Sequence, residues 1–168
     1  SRVAMVELFF DLVFVFAITQ LSHALLAHLD WAHALRAGLL LVAVWWVWIY
    51  TSWFTNWLDP ERTPVRSALF VLMLAGLVMS ASIPRAFGER GLAFAAAYVF
   101  MQVGRTLFFL WAAHSEAVNM RRNFQRISVW LSLAGVFWIA GGLALDDLRL
   151  GLWAVALGIE VVSPALYF

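Results

Sequence analysis

Charged residues divide the chain into six long apolar stretches: Leu12–Leu29, Ala37–Leu58, Ser67–Pro84, Gly91–Ser115, Ile127–Leu145 and Leu150–Phe168. An α-helix rises 1.5 Å per residue, so roughly 20 residues cross a hydrocarbon core of about 30 Å, and each stretch is close to that length. Lipid offers no water to backbone N–H and C=O groups, which leaves helices or closed barrels. These stretches lack the period-two alternation of barrel strands. The pattern predicts an all-α, six-helix transmembrane bundle forming a single membrane domain over 1–168, one repeat of a larger polytopic membrane protein. Its helices are expected near 5–29, 34–58, 65–84, 91–115, 122–144 and 149–168.

Composition agrees, with 64% hydrophobic and 12% charged residues, against about a quarter charged in soluble domains. The lipid bilayer is the expected partner, and nucleic acid is not. There are no cysteines, which excludes disulfides, iron–sulfur clusters and thiolate chemistry. Lysine is also absent, which removes any Schiff-base chromophore. The first stretch carries acids where a signal peptide has a basic region, so it is expected to be retained.

The charged connections are short. Asp59-Pro60 and Thr63-Pro64 close the second helix near Leu58, Gly88 and Gly91 flank the third loop, and Gly141-Gly142 soften the end of the fifth helix. Trp31, Trp53, Phe54, Trp57 and Trp111 suit membrane interfaces. If the helices alternate, Arg2, Arg62, Arg66, Arg121, Arg122 and Arg126 share one side, against Arg36, Arg85, Arg90 and Arg149 on the other. The positive-inside rule then puts the first side, with both termini, in the cytoplasm. The expected location is the bacterial cytoplasmic (inner) membrane, crossed several times. The last residues, from Ser163 to Phe168, are apolar without a polar flank. The chain is expected to continue into a second half, or to be completed by a homo-oligomer.

Glu7, Asp11, Ile18 and Ser22 are spaced by four, seven and four, which places them on one helical face within roughly 60° of arc, bordered by Thr19. A carboxylate in lipid costs several kcal/mol, so this stripe is expected to point into the bundle or a wet cavity, with Glu7 also suited to an interfacial helix N-terminus. In the fourth helix, Tyr98, Gln102, Arg105, Thr106 and Phe109 form a second polar face. Arg105 and Glu160 both fall about 15 Å from a helix end, near the midplane. A guanidinium there needs a match, and either Asp11 or Glu160 suits it, as a functional centre or as a staple between helices.

His23, His28 and His33 recur every five residues, which scatters them around a helix rather than gathering them on a metal. No metal and no cofactor is expected. No nucleophile–base pair is apparent either, so the chain is not expected to be an enzyme.

The run from Val6 to His23, Val-Glu-Leu-Phe-Phe-Asp-Leu-Val-Phe-Val-Phe-Ala-Ile-Thr-Gln-Leu-Ser-His, resembles the opening of the bacterial low temperature requirement A (LtrA) family. The run from Tyr50 to Pro60, followed by Arg62 and Arg66, is similar to that family's aromatic helix ending in a turn at Asn56 and Asp59. Arg105 after Tyr98 fits its arginine-bearing fourth helix. Members are typically about twice this length, so the resemblance implies an N-terminal half; they are named for growth in the cold. Phe10–Thr19 is also similar to the opening of a potassium-channel family built from six-helix repeats, although Phe10 stands where that family has serine. That likeness implies a pore-lining first helix with Ile18 at a constriction.

The leading expectation is transport of an ion, proton or small solute along helices one and four, past Glu7, Asp11, Thr19, Ser22, Gln102 and Arg105. The alternative is a non-transporting structural or regulatory membrane protein linked to cold growth, whose buried ion pairs only pack helices.

Overall fold

The computed structural model describes residues 5–27, 29–57, 63–112, 118–144 and 146–167. Side chains are described for most of these, but not for 5–7, 10, 53–57, 112, 118–121, 123–124, 146–147 and 164–167. All the regular structure in this set is helical, in six rods: α1 (Met5–Ala27), α2 (Trp31–Trp57), α3 (Thr63–Ser82), a fourth rod, α6 (Val118–Leu143) and α7 (Asp146–Tyr167). The fourth rod joins α4 (Gly91–Val99) to α5 (Arg105–Ala112) through a π-helical turn, Phe100–Gly104. Among the described residues, four helices are long and apolar enough to cross a membrane: Trp31–Ser52, Thr63–Arg85, Gly91–Trp111 and Gln125–Leu143.

Helix ends follow local chemistry. Asp30 accepts the backbone N–H of His33 at 2.8 Å, so it caps α2, which begins at Trp31, three residues before the expected start. Proline lacks the N–H that a helix interior needs, and Pro84 accordingly sits in a short 3₁₀ turn, Ile83–Arg85, after α3. Trp31 is 92% exposed and Trp111 62%, as interfacial anchors would be.

The helices group as two threes. In one, α1 packs on α2 and α3; in the other, the fourth rod packs on α6, which pairs closely with α7; α3 against α4 joins them. The core at the second group is aromatic. Tyr98 and Trp138 lie 4.5 Å apart between ring centroids, Trp138 and Trp153 5.6 Å, and Phe94 and Trp153 5.4 Å. Aromatic pairs at such spacings add about 0.5–1.5 kcal/mol each beyond burial. The Trp153 indole N–H donates to the Trp138 carbonyl at 2.9 Å. A Cβ on Gly141 would collide with the Trp153 indole, and one on Gly142 would come within 3.0 Å of the Leu92 backbone. These glycines serve close helix approach more than flexibility.

Candidate functional site

Glu160 on α7 is fully buried and faces three uncharged donors. Tyr98 donates its hydroxyl at 2.9 Å, Gln102 its side-chain amide at 2.8 Å and Trp138 its indole N–H at 3.0 Å. Two of these come from the fourth rod and one from α6, so this carboxylate ties three rods together. A buried charge is tolerated when its lone pairs are met in this way.

Arg105, 3% exposed, opens α5 immediately after the π turn. Its guanidinium donates to the Thr51 hydroxyl at 3.1 Å and to the Gln102 backbone carbonyl at 3.5 Å, and lies 5.3 Å from the Tyr50 ring centroid. Gln102 therefore serves both charges, its side chain toward Glu160 and its carbonyl toward Arg105. The same carbonyl accepts the Thr106 hydroxyl at 2.8 Å. A π turn disturbs the regular ladder and leaves carbonyls with side-chain partners, a feature frequent at functional sites. One acceptor stays unmet: Gln102 Oε1 is buried without a hydrogen-bond partner among the described residues, and such orphans are uncommon in native proteins.

The expected direct pairing of Arg105 with a carboxylate is not what the geometry gives. Among the described residues Arg105 has no ion pair with Asp11 or Glu160, and its link to Glu160 runs through Gln102. Asp11 instead accepts the Trp48 indole N–H at 3.1 Å. The fourth-helix face does form, since Tyr98, Gln102, Arg105, Thr106 and Phe109 are all buried.

The first-helix stripe is turned the other way from the expectation. Among the described side chains of α1, Val13, Ala17 and Leu21 are the buried ones, whereas Asp11, Thr19 and Ser22 are exposed and Ile18 is partly buried. The reason is competition for one face: the apolar row fits against α3, where a Cβ on Gly76 would stand 3.0 Å from Val13. Thr19 and Ser22 return their hydroxyls to the carbonyls of Val15 and Ile18, both at 3.0 Å, which meets their polarity within the helix. The side chains of Glu7 and Asn56, and Asp59 and Arg62 altogether, lie outside the described residues.

Sequence reasoning placed α2 but missed the partners that it supplies. Trp48 and Thr51 sit three residues apart, hence on adjacent positions of one face, and reach Asp11 and Arg105 respectively. It also missed Arg149, counted only among the arginines on one membrane side but buried. Its guanidinium donates to five backbone carbonyls: Gly141 at 2.9 Å, Ala86 at 3.0 Å, Gly88 at 2.7 Å, Gly142 at 3.1 Å and Ala144 at 2.8 Å. Carbonyls at the end of α6 lack intrahelical partners, and a cation there also meets the helix dipole. The signal was present as glycines: a Cβ on Gly91 would overlap the Arg149 guanidinium.

No group of three or more potential metal ligands gathers among the described residues. Comparison with known proteins gives one family, the bacterial low temperature requirement A protein (LtrA), matched over residues 2–167. An uncharacterized protein of Rhizobium meliloti (strain 1021) is 45% identical over 168 residues, all of this chain and 41% of that relative. The chain thus spans about two fifths of the length of the curated relative it matches. No solved structure matches it.

Proposed function

We propose that this chain, which belongs to the bacterial low temperature requirement A (LtrA) family, forms part of a transport protein of the cytoplasmic membrane. It moves a cation, proton or small solute and carries out no enzymatic chemistry. The observation behind this reading is the buried series Arg105–Gln102–Glu160 with the unmet acceptor Gln102 Oε1 inside it. Ionisable groups at membrane depth mark ion and proton pathways, and an open acceptor beside a carboxylate suits a passing proton carrier or cation.

Asp11, Thr19 and Ser22 belong to the same route on this reading. An acid facing outward from this half suits a polar neighbour rather than acyl chains, and on this reading further chain, such as the longer relative carries, provides it. The path then runs along the outer face of α1, with α2 connecting Asp11 to Arg105 through Trp48 and Thr51. Both termini of this segment lie in the cytoplasm. The arginine bias supports that orientation, more so because Arg149 is occupied by backbone carbonyls.

A second reading, a bundle held by buried polar contacts with no flux, is favoured by one observation: every oxygen of Glu160 and both outer nitrogens of Arg105 have protein partners. Flux measurements on the full-length protein in liposomes separate the two. Glu160→Gln and Asp11→Asn abolish flux in a folded protein if the transport reading holds. Wild-type flux in both variants would refute it.

A further inference from the structure

Away from the buried network, a cleft of about 630 Å³ opens where the end of α1, the start of α2 and the segment 83–89 meet. Leu21, Leu25 and Leu40 line its apolar part. Its polar lining is mostly basic or N–H-bearing: Arg36, Arg85, His23 and His33, with Glu89 as the acid. Glu89 pairs with Arg85, and His33 bonds Asp30 at 2.8 Å. The Arg36 guanidinium lies 5.2 Å from the Phe87 ring centroid.

The wall is held from behind. Phe87 meets Trp153 at 5.1 Å, and Arg149 takes the carbonyls of Ala86 and Gly88, the residues on either side of Phe87. Phe87 is thus clamped on both flanks, and it positions Arg36. A planar guanidinium seated on a fixed aromatic ring loses less freedom when it binds an oxyanion, and its fork suits phosphate oxygens. The volume lies in the range of small-ligand sites, and guanidinium groups beside an apolar wall suit a phosphate group that carries an apolar tail.

We propose that this cleft binds a phosphate-bearing anion, with Arg36 as the main phosphate ligand, Arg85 as the second cation and the leucines against an apolar tail where one is attached. The chemistry is shared by an anionic phospholipid headgroup and a soluble phosphate. The apolar lining favours the lipid.

Native mass spectrometry of the full-length protein, released from phosphatidylglycerol or from phosphatidylcholine micelles, reads lipid retention; thermal unfolding with added inorganic phosphate reads the soluble anion. Phosphatidylglycerol is expected to be retained over phosphatidylcholine, and Arg36→Gln to weaken retention about tenfold or more, with Arg36→Lys in between. Stabilisation by inorganic phosphate in the wild type, lost in Arg36→Gln, supports the same site with a soluble occupant. Arg85→Gln carries the test if Arg36→Gln fails to fold, with a smaller loss expected. Equal retention of the two lipids with no phosphate effect overturns the proposal. So does retention unchanged in both variants, as when the remainder of the polypeptide fills the cleft.

Discussion

Gly91 and Arg149 compete for one volume: the guanidinium of Arg149 lies where a side chain on Gly91 would begin. Gly91→Ala therefore displaces the clamp or the start of α4, because the methyl would also sit 2.9 Å from the Ala86 carbonyl. The expected loss is about 2–4 kcal/mol, read as a lower thermal midpoint of the full-length protein in detergent. A wild-type midpoint would show that the clamp adapts freely.

Gly151 gives the opposite sign. It lies within α7, and a methyl there would meet nothing within 4 Å, so Gly151→Ala is expected to stabilise by about 0.5–1 kcal/mol through helix propensity alone. A clear drop in midpoint would mean that another part of the full-length protein covers this face.

Removing the Glu160 carboxylate orphans three buried donors, those of Tyr98, Gln102 and Trp138. Glu160→Leu is expected to cost about 3–5 kcal/mol and Glu160→Gln, which keeps one acceptor oxygen, about 1–3 kcal/mol. Adding Gln102→Leu to Glu160→Leu should cost less than Gln102→Leu alone. A double-mutant cycle reads this coupling, and strict additivity would deny that the two side chains act together.

Thr51 provides an acceptor to the Arg105 guanidinium. Thr51→Val keeps the shape and deletes that acceptor, for an expected cost of about 1.5–3 kcal/mol, whereas Thr51→Ser restores most of it. Denaturant or thermal titration of the three proteins should rank them wild type, serine, valine. Valine equal to wild type would exclude a role for this contact.

Asp11→Asn retains an oxygen for the Trp48 indole N–H, so stability should change by less than about 1 kcal/mol. Flux in liposomes should nevertheless fall to background, because the charge is gone. Asp11→Leu, lacking the oxygen too, should lose both. Flux that survives Asp11→Asn would remove this acid from the route.

The helices were legible because burial in lipid writes itself as long uncharged runs, and the face from Tyr98 to Phe109 was legible from its spacing. The orientation of α1 was not. Its polar stripe and its apolar row, Val13–Ala17–Leu21, are both regular, and only the surface of α3 decides which one is buried. Arg105 announced itself by standing alone in an apolar run, yet its partners on α2 are a threonine and a tyrosine with no charge to mark them. Arg149 was hidden by position: an arginine near a predicted loop reads as solvated, and its partners are backbone carbonyls, which any sequence supplies. The π turn left no trace, since one displaced hydrogen bond needs no special residue.

The clamp on Ala86 and Gly88 changes how the 83–90 hairpin should be treated at the bench. Surface connections are the usual places for epitope tags, cleavage sites and reporter insertions, yet this one is pinned from beneath by a side chain two rods away. Splitting it between Phe87 and Glu89 would unseat the end of α6 and the start of α7 as well, so a tag placed there would report on a damaged protein rather than on its sidedness.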